Sequence, residues 1–148
     1  MSDFTDRRSV LGLLARSPAE LLAERFAALN ETPPFTWLRR PETGMVMLRA
    51  RIGGDGAQFN LGEMTLTRCA LRLSGGAVGV GAVRGRSVRQ AEVIALCDAL
   101  LQQAETAPRV QKEVIAPLAS AEQARHTLRA AEVAASRVDF FTLVRGED

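Results

Sequence analysis

Residues 40–73 read RPETGMVMLRARIGGDGAQFNLGEMTLTRCALRL, two alternating stretches on either side of a loop with three glycines. From Met45 to Ile52 the side chains alternate, Val46, Leu48, Ala50 and Ile52 on one face and Met45, Met47, Arg49 and Arg51 on the other. From Met64 to Leu73 the pattern returns, with Thr65, Thr67, Cys69, Leu71 and Leu73 opposite Met64, Leu66, Arg68, Ala70 and Arg72. Two half-buried strands are expected, with both arginine sets on one sheet face. Between them Gly53, Gly54 and Gly56 suit a tight reversal or, through uncovered amides, contact with an anion.

Working outward, Phe35 to Arg39 is a short strand candidate, and Pro41 forces Arg40 into an extended approach to the main strand. Ser74, Gly75 and Gly76 form a hairpin turn into AVGVGAVRG, residues 77–85, so a mainly antiparallel sheet of about four strands is expected. The glycines at 79, 81 and 85 miss the dinucleotide fingerprint by one position and mark close backbone approach instead. Ser87 and Gln90 read as a capping box opening a helix to about Ala104, apolar almost all round and therefore packed on the sheet. Its exceptions are Glu92 and Asp98, for which a solvated edge is the simple reading and a buried pairing with arginine the sharper one.

The flanks are helical. Residues 6–16 form a short amphipathic helix, and Ser17, Pro18 and Glu20 restart a second one that runs to about Leu29 before Pro33 and Pro34. Pro108 opens a short helix ending near Pro117, and Ser120 with Gln123 caps a longer one to about Arg137. The chain is expected to be a single α+β domain over residues 1–148. Its last stretch, with Val138, Phe140, Phe141, Leu143, Val144 and Arg145, is too apolar for a free tail and docks on its own core or on a partner.

Bulk properties set the class. Hydrophobic residues make up 47% and charged ones 24% of 148 positions, as in a globular chain with one core. The formal charge is only +2, and the arginines are scattered among 17 acids, so nucleic acid is not an expected partner. Lys112 is the sole lysine among 19 basic residues. Arginine forks onto phosphates and carboxylates, so the bias suits phosphorylated ligands or an arginine-rich interface; a genome that favours arginine codons explains it equally. Cys69 and Cys97 fit neither a disulfide framework nor a zinc site and read as reduced core thiols. The apolar run Val10 to Ala15 is too short for a membrane span, and a cytoplasmic protein is expected.

Few residues carry chemistry. His126 is the only histidine, read as a surface imidazole, and there is no Walker loop or nucleophile elbow. What remains is Glu42, Thr43, Arg49, Arg51, Thr67 and Arg68, with Glu63, Thr65 and the glycine loop. Guanidinium groups, hydroxyls and free amides together suit phosphate or phosphonate oxygens. Solvated arginines and threonines chosen for strand propensity are the plainer alternative.

The segments PETGMV, ARIGGDGAQFNLGEMTLTRCALRL, GRSVRQAEVIALCDALLQ and ASRVDFFTLVRG resemble, in order and spacing, the PhnG family of the bacterial carbon-phosphorus lyase system. That resemblance implies a subunit assembling with PhnI, PhnH, PhnJ and PhnL, with PhnI the nucleosidase-like component. The implied reaction makes α-D-ribose 1-methylphosphonate 5-triphosphate from MgATP and methylphosphonate and releases adenine. No cofactor is expected on this subunit alone, and self-association is expected when partners are missing. Ser87 and Gln90 stand where the family pattern GRDxxHAE has an acid and a histidine, so proton transfer at position 90 is not carried over. Arg51 and Arg68 are the first choices for phosphate contact. A purely architectural subunit without ligand contacts is the rival reading, and a free-standing enzyme the third.

Overall fold

The computed structural model describes residues 6–31 and 33–137. The tail residues Val138, Phe140, Phe141, Leu143, Val144 and Arg145 lie outside the described residues. Helices α1 (Arg7–Arg16) and α2 (Ala19–Ala27) lead into strands β1 (Phe35–Arg51), β2 (Gln58–Leu73) and β3 (Val78–Arg84). Helices α3 (Val88–Leu100), α4 (Ala107–Val110) and α5 (Ala116–Ala135) follow, α4 and α5 joined by a π-helical turn, Gln111–Ile115. The fold is an α+β domain around one apolar core.

The sheet has three antiparallel strands in the order β1-β2-β3, one fewer than expected. The two segments expected on either side of Pro41 are a single 17-residue strand. Proline interrupts a strand by lacking an N–H, yet β1 is an edge strand and its register shifts between Arg39 and Glu42, so Pro41 falls where no ladder bond is needed. Gly53 (φ +63°) and Gly54 (φ +92°) make the reversal into β2, and Gly76 (φ +88°) the reversal into β3.

Helix α3 carries the core. Ten of its thirteen residues are buried, and its seam with β3 is unusually close. A Cβ built on Gly79 would lie 1.9 Å from the Ala95 carbonyl oxygen, and one on Gly81 1.9 Å from that of Ala91. The approach expected within the sheet is therefore an approach between helix and sheet, with Ala91, Ala95 and Ala99 as the facing stripe. Leu71, Leu73, Cys69 and Val83 fill the sheet side, and Leu13, Leu14, Leu22, Val114 and Leu118 close the core from the other helices.

Three expected caps do other work. The Ser17 hydroxyl donates to the Leu13 carbonyl at 2.8 Å, closing α1 rather than opening α2. Gln90 is buried and donates to the Ser17 carbonyl at 3.0 Å, while Ser87 makes no side-chain cap. Ser120 lies inside α5, because the helix runs on through Pro117 instead of stopping there. The wider π turn immediately before it precedes the loss of the proline N–H. Helix α1 is capped by Asp6, whose carboxylate accepts from the Arg8 and Ser9 amides at 2.9 and 3.0 Å.

Asp98 departs furthest from the solvated-edge reading. It is 3% exposed, and Arg7 forks onto it, Nε to Oδ1 and Nη2 to Oδ2, each at 2.8 Å. The Val80 amide donates to Oδ2 at 2.8 Å as well. Both thiols are free and buried; burial first, and then Glu92, pushes Cys69 up to about 11, while burial and then Asp98 push Cys97 up to about 12. Neither sulfur is a nucleophile near neutral pH.

Candidate functional site

Strand register separates the residues expected to gather on one face. Thr43 pairs with Thr67 and Met45 with Thr65, so these two residues of β1 stand opposite the odd-numbered side of β2 that carries Cys69 and Leu71. Arg49 and Arg51 pair with Asn60 and Gln58, beyond a register shift after Leu48, whereas Arg68 pairs with Glu42. They are also remote: the nine strand steps from Glu42 to Arg51 span about 30 Å. Three groupings result. At the base, Arg68 Nε donates to Glu42 Oε1 at 2.8 Å, with Arg39 3.6 Å away on the same oxygen. On the core side the Thr67 hydroxyl donates to the Gly85 carbonyl at 2.6 Å and meets the Thr43 hydroxyl at 3.0 Å. At the tip Arg51 Nη1 donates to the Gly56 carbonyl at 3.1 Å, spanning the glycine loop, and Arg49 is exposed beside it.

Beyond the last rung with β3, where Leu66 faces Arg84, the β1–β2 hairpin continues as a two-stranded arm. Every residue from Gln58 to Glu63 is exposed. Met45 (70%), Ile52 (65%) and Leu61 (62%) show that this arm offers apolar side chains on both faces. A second exposed element is α5, whose residues 123–135 are exposed without exception and include Leu128 and Val133.

A cleft of about 680 Å³ opens between the end of α1, the end of β3, the start of α3 and α5. Arg16, Arg84, Arg125 and Arg129 line it, with His126 at its rim and Met64 and Val83 as apolar wall. Helical spacing places Glu122, Arg125, His126 and Arg129 along one stripe of α5. Glu122 is the buried member: Oε1 accepts from Arg16 Nε at 2.9 Å, with His126 Nε2 at 3.8 Å. Its other oxygen, Oε2, is buried and receives no hydrogen bond from a described residue. Arg84, Arg125 and Arg129 make no hydrogen bond or ion pair among the described residues. Gln90 also borders the cleft, its amide turned to Ser17.

Four guanidinium groups against one carboxylate make the cleft an anion-attracting site with an acceptor at its base. Among the described residues no three His, Cys, Asp or Glu side chains come together to hold a metal ion. No helix of the described residues is long and apolar enough to cross a membrane. Sequence reasoning missed the cleft because its residues come from positions 16, 84, 90, 122, 125 and 129, with only the α5 stripe as a local signal. His126 is a surface imidazole as read, 72% exposed in its side chain.

Two comparisons bear on this arrangement. A family model described as "Phosphonate metabolism protein PhnG" matches residues 5–146. The chain is 44% identical over 144 residues to "Alpha-D-ribose 1-methylphosphonate 5-triphosphate synthase subunit PhnG" of Rhizobium meliloti (strain 1021), covering 96% of this chain and 90% of that one.

Proposed function

The chain belongs to the PhnG family of phosphonate metabolism proteins, and from that premise we propose that it is a subunit of an α-D-ribose 1-methylphosphonate 5-triphosphate synthase. The observation that carries the proposal is the 44% identity sustained over nearly the whole of both chains. It acts in company, in the cytoplasm, with partners of the PhnI, PhnH, PhnJ and PhnL types, and supports the PhnI-like component in using MgATP and methylphosphonate. The exposed apolar arm and the bare outer half of α5 support this reading, since large exposed apolar side chains grouped on projecting elements mark partner surfaces. The apolar tail, with Val138, Phe140 and Phe141, is a further partner contact in this proposal.

Phosphate contact by Arg49, Arg51 and Arg68 belongs to the same proposal, together with Glu42, which holds Arg68, and the separate Thr43–Thr67 hydroxyl pair. A second reading, an architectural subunit without ligand contact, is favoured by one observation. Arg68 is engaged by Glu42 and Arg51 by Gly56, so both already serve the hairpin. Co-expression with the four partner types, followed by purification and an adenine-release assay on MgATP and methylphosphonate, tests both. Failure to co-purify overturns the assembly reading. If Arg51→Ala and Arg68→Ala leave assembly intact and abolish turnover, ligand contact stands; loss of assembly and turnover together, or no change in either, favours the architectural role.

A further inference from the structure

None of the strand-cluster residues lines the α1–α5 cleft, and three features of it point to a ligand. Its charge is the first: of the exposed arginines 16, 84, 125 and 129, only Arg16 has a described partner, and four like charges around one cavity favour a bound anion. The second is Glu122, 6% exposed in a helix that is otherwise solvated from residue 123 onward. A buried carboxylate oxygen without a donor costs its full desolvation penalty, so Oε2 calls for an N–H or O–H brought from outside the described chain. Size is the third: about 680 Å³ lies within the range of small-molecule sites, and Met64 and Val83 give it an apolar wall.

We propose that this cleft binds a phosphorylated, hydroxyl-bearing small molecule of the sugar phosphate class, its phosphate oxygens on Arg84, Arg125 and Arg129 and a hydroxyl donated to Glu122. Arginine rather than lysine suits the phosphate because its planar fork gives two directed N–H groups per residue. Arg16 holds Glu122 through Oε1 alone, which leaves Oε2 as the acceptor that separates a sugar phosphate from a bare phosphate chain. The proposal is independent of the assembly reading, since all its groups belong to one chain.

Calorimetric titration of the purified full chain tests it with three probes: ribose 5-phosphate, inorganic tripolyphosphate and ribose. Ribose 5-phosphate is expected to bind and ribose not to. Arg125→Ala and Arg129→Ala, both on the exposed face of α5, should each weaken ribose 5-phosphate about tenfold, as loss of a charged hydrogen bond does. Glu122→Gln should weaken ribose 5-phosphate and leave tripolyphosphate unchanged; where that variant melts early, the two arginine variants carry the test alone. Binding of neither phosphate probe overturns the proposal, as does binding that both arginine variants leave intact. Binding of tripolyphosphate without ribose 5-phosphate overturns the sugar assignment.

Discussion

Arg7 and Asp98, 91 positions apart, meet in a two-pronged ion pair that ties the first turn of α1 to the last turn of α3. The carboxylate is buried and the guanidinium is not, with side-chain exposures of 3% and 56%. Hydrogen bonding and charge from Asp98 raise the Arg7 pKa further, so the cation persists over all working pH. Removing the buried partner also strips the Val80 amide of its acceptor. Asp98→Ala should cost about 3 kcal/mol and Arg7→Ala less, because water still reaches the cation side. Urea unfolding of both variants checks the order; a larger loss for Arg7→Ala would contradict it.

Alkaline pH should destabilise the fold through its thiols. Both keep their protons in the native state past the ordinary value of 9.0, up to about 11 for Cys69 and about 12 for Cys97. Unfolding therefore releases protons, and stability present below pH 9 falls as pH rises from there toward the folded values. Each thiol contributes about 1.4 kcal/mol per pH unit in that window. Denaturation series at pH 8.5 to 10.5 should show a shallower decline for Cys97→Ala than for the natural chain.

The seam between α3 and β3 admits no added carbon. Gly81→Ala would set a methyl 1.9 Å from the Ala91 carbonyl oxygen and 3.1 Å from the Ala95 amide nitrogen. Relief requires the helix to lift along its length, so a loss of about 3 kcal/mol or more is expected. Gly44→Ala, with nothing within 4 Å, is the matched control and should stay within about 0.5 kcal/mol. Thermal melts of the pair decide it.

The arm should matter to partners and not to folding. Met45 and Ile52 are 70% and 65% exposed, and neither joins the core. Exchanging both for serine should leave the unfolding midpoint of the isolated chain within experimental error, while recovery of partner subunits from co-expression drops severalfold. A destabilised chain would show instead that the arm packs on its own body.

Much of the fold was legible because alternation and turn chemistry are local. The reversals at Gly53–Gly54 and Gly76, the strand ending at Leu73 and the apolar helix after Ser87 all follow from neighbouring residues. What stayed hidden depends on distant ones. Asp98 looks like a solvated exception until Arg7 arrives from the other end of the chain. Ser17 and Gln90 carry capping signatures, but the Ser17 hydroxyl turns back to the Leu13 carbonyl and Gln90 reaches across to the Ser17 carbonyl. Pro41 punctuates an isolated peptide but is harmless on an edge strand. Gathering of the arginines turned on a register that alternation within each strand does not determine, since Arg68 pairs with Glu42 while Arg49 pairs with Asn60 beyond a register shift. The cleft had no contiguous trace beyond a stripe on one helix.

Because carbonyls of α3 rest where Gly79 and Gly81 have no side chains, backbone meets backbone along that layer contact and no space is left between them. Helix α5, by contrast, is anchored near Leu118 and Glu122 and stands in water from residue 123 onward. Arg125 and Arg129 thus sit on a cantilever whose root is fixed and whose shaft is free. Among the described residues, the spacing of those two charges from the rest of the cleft therefore rests on the root of the helix alone.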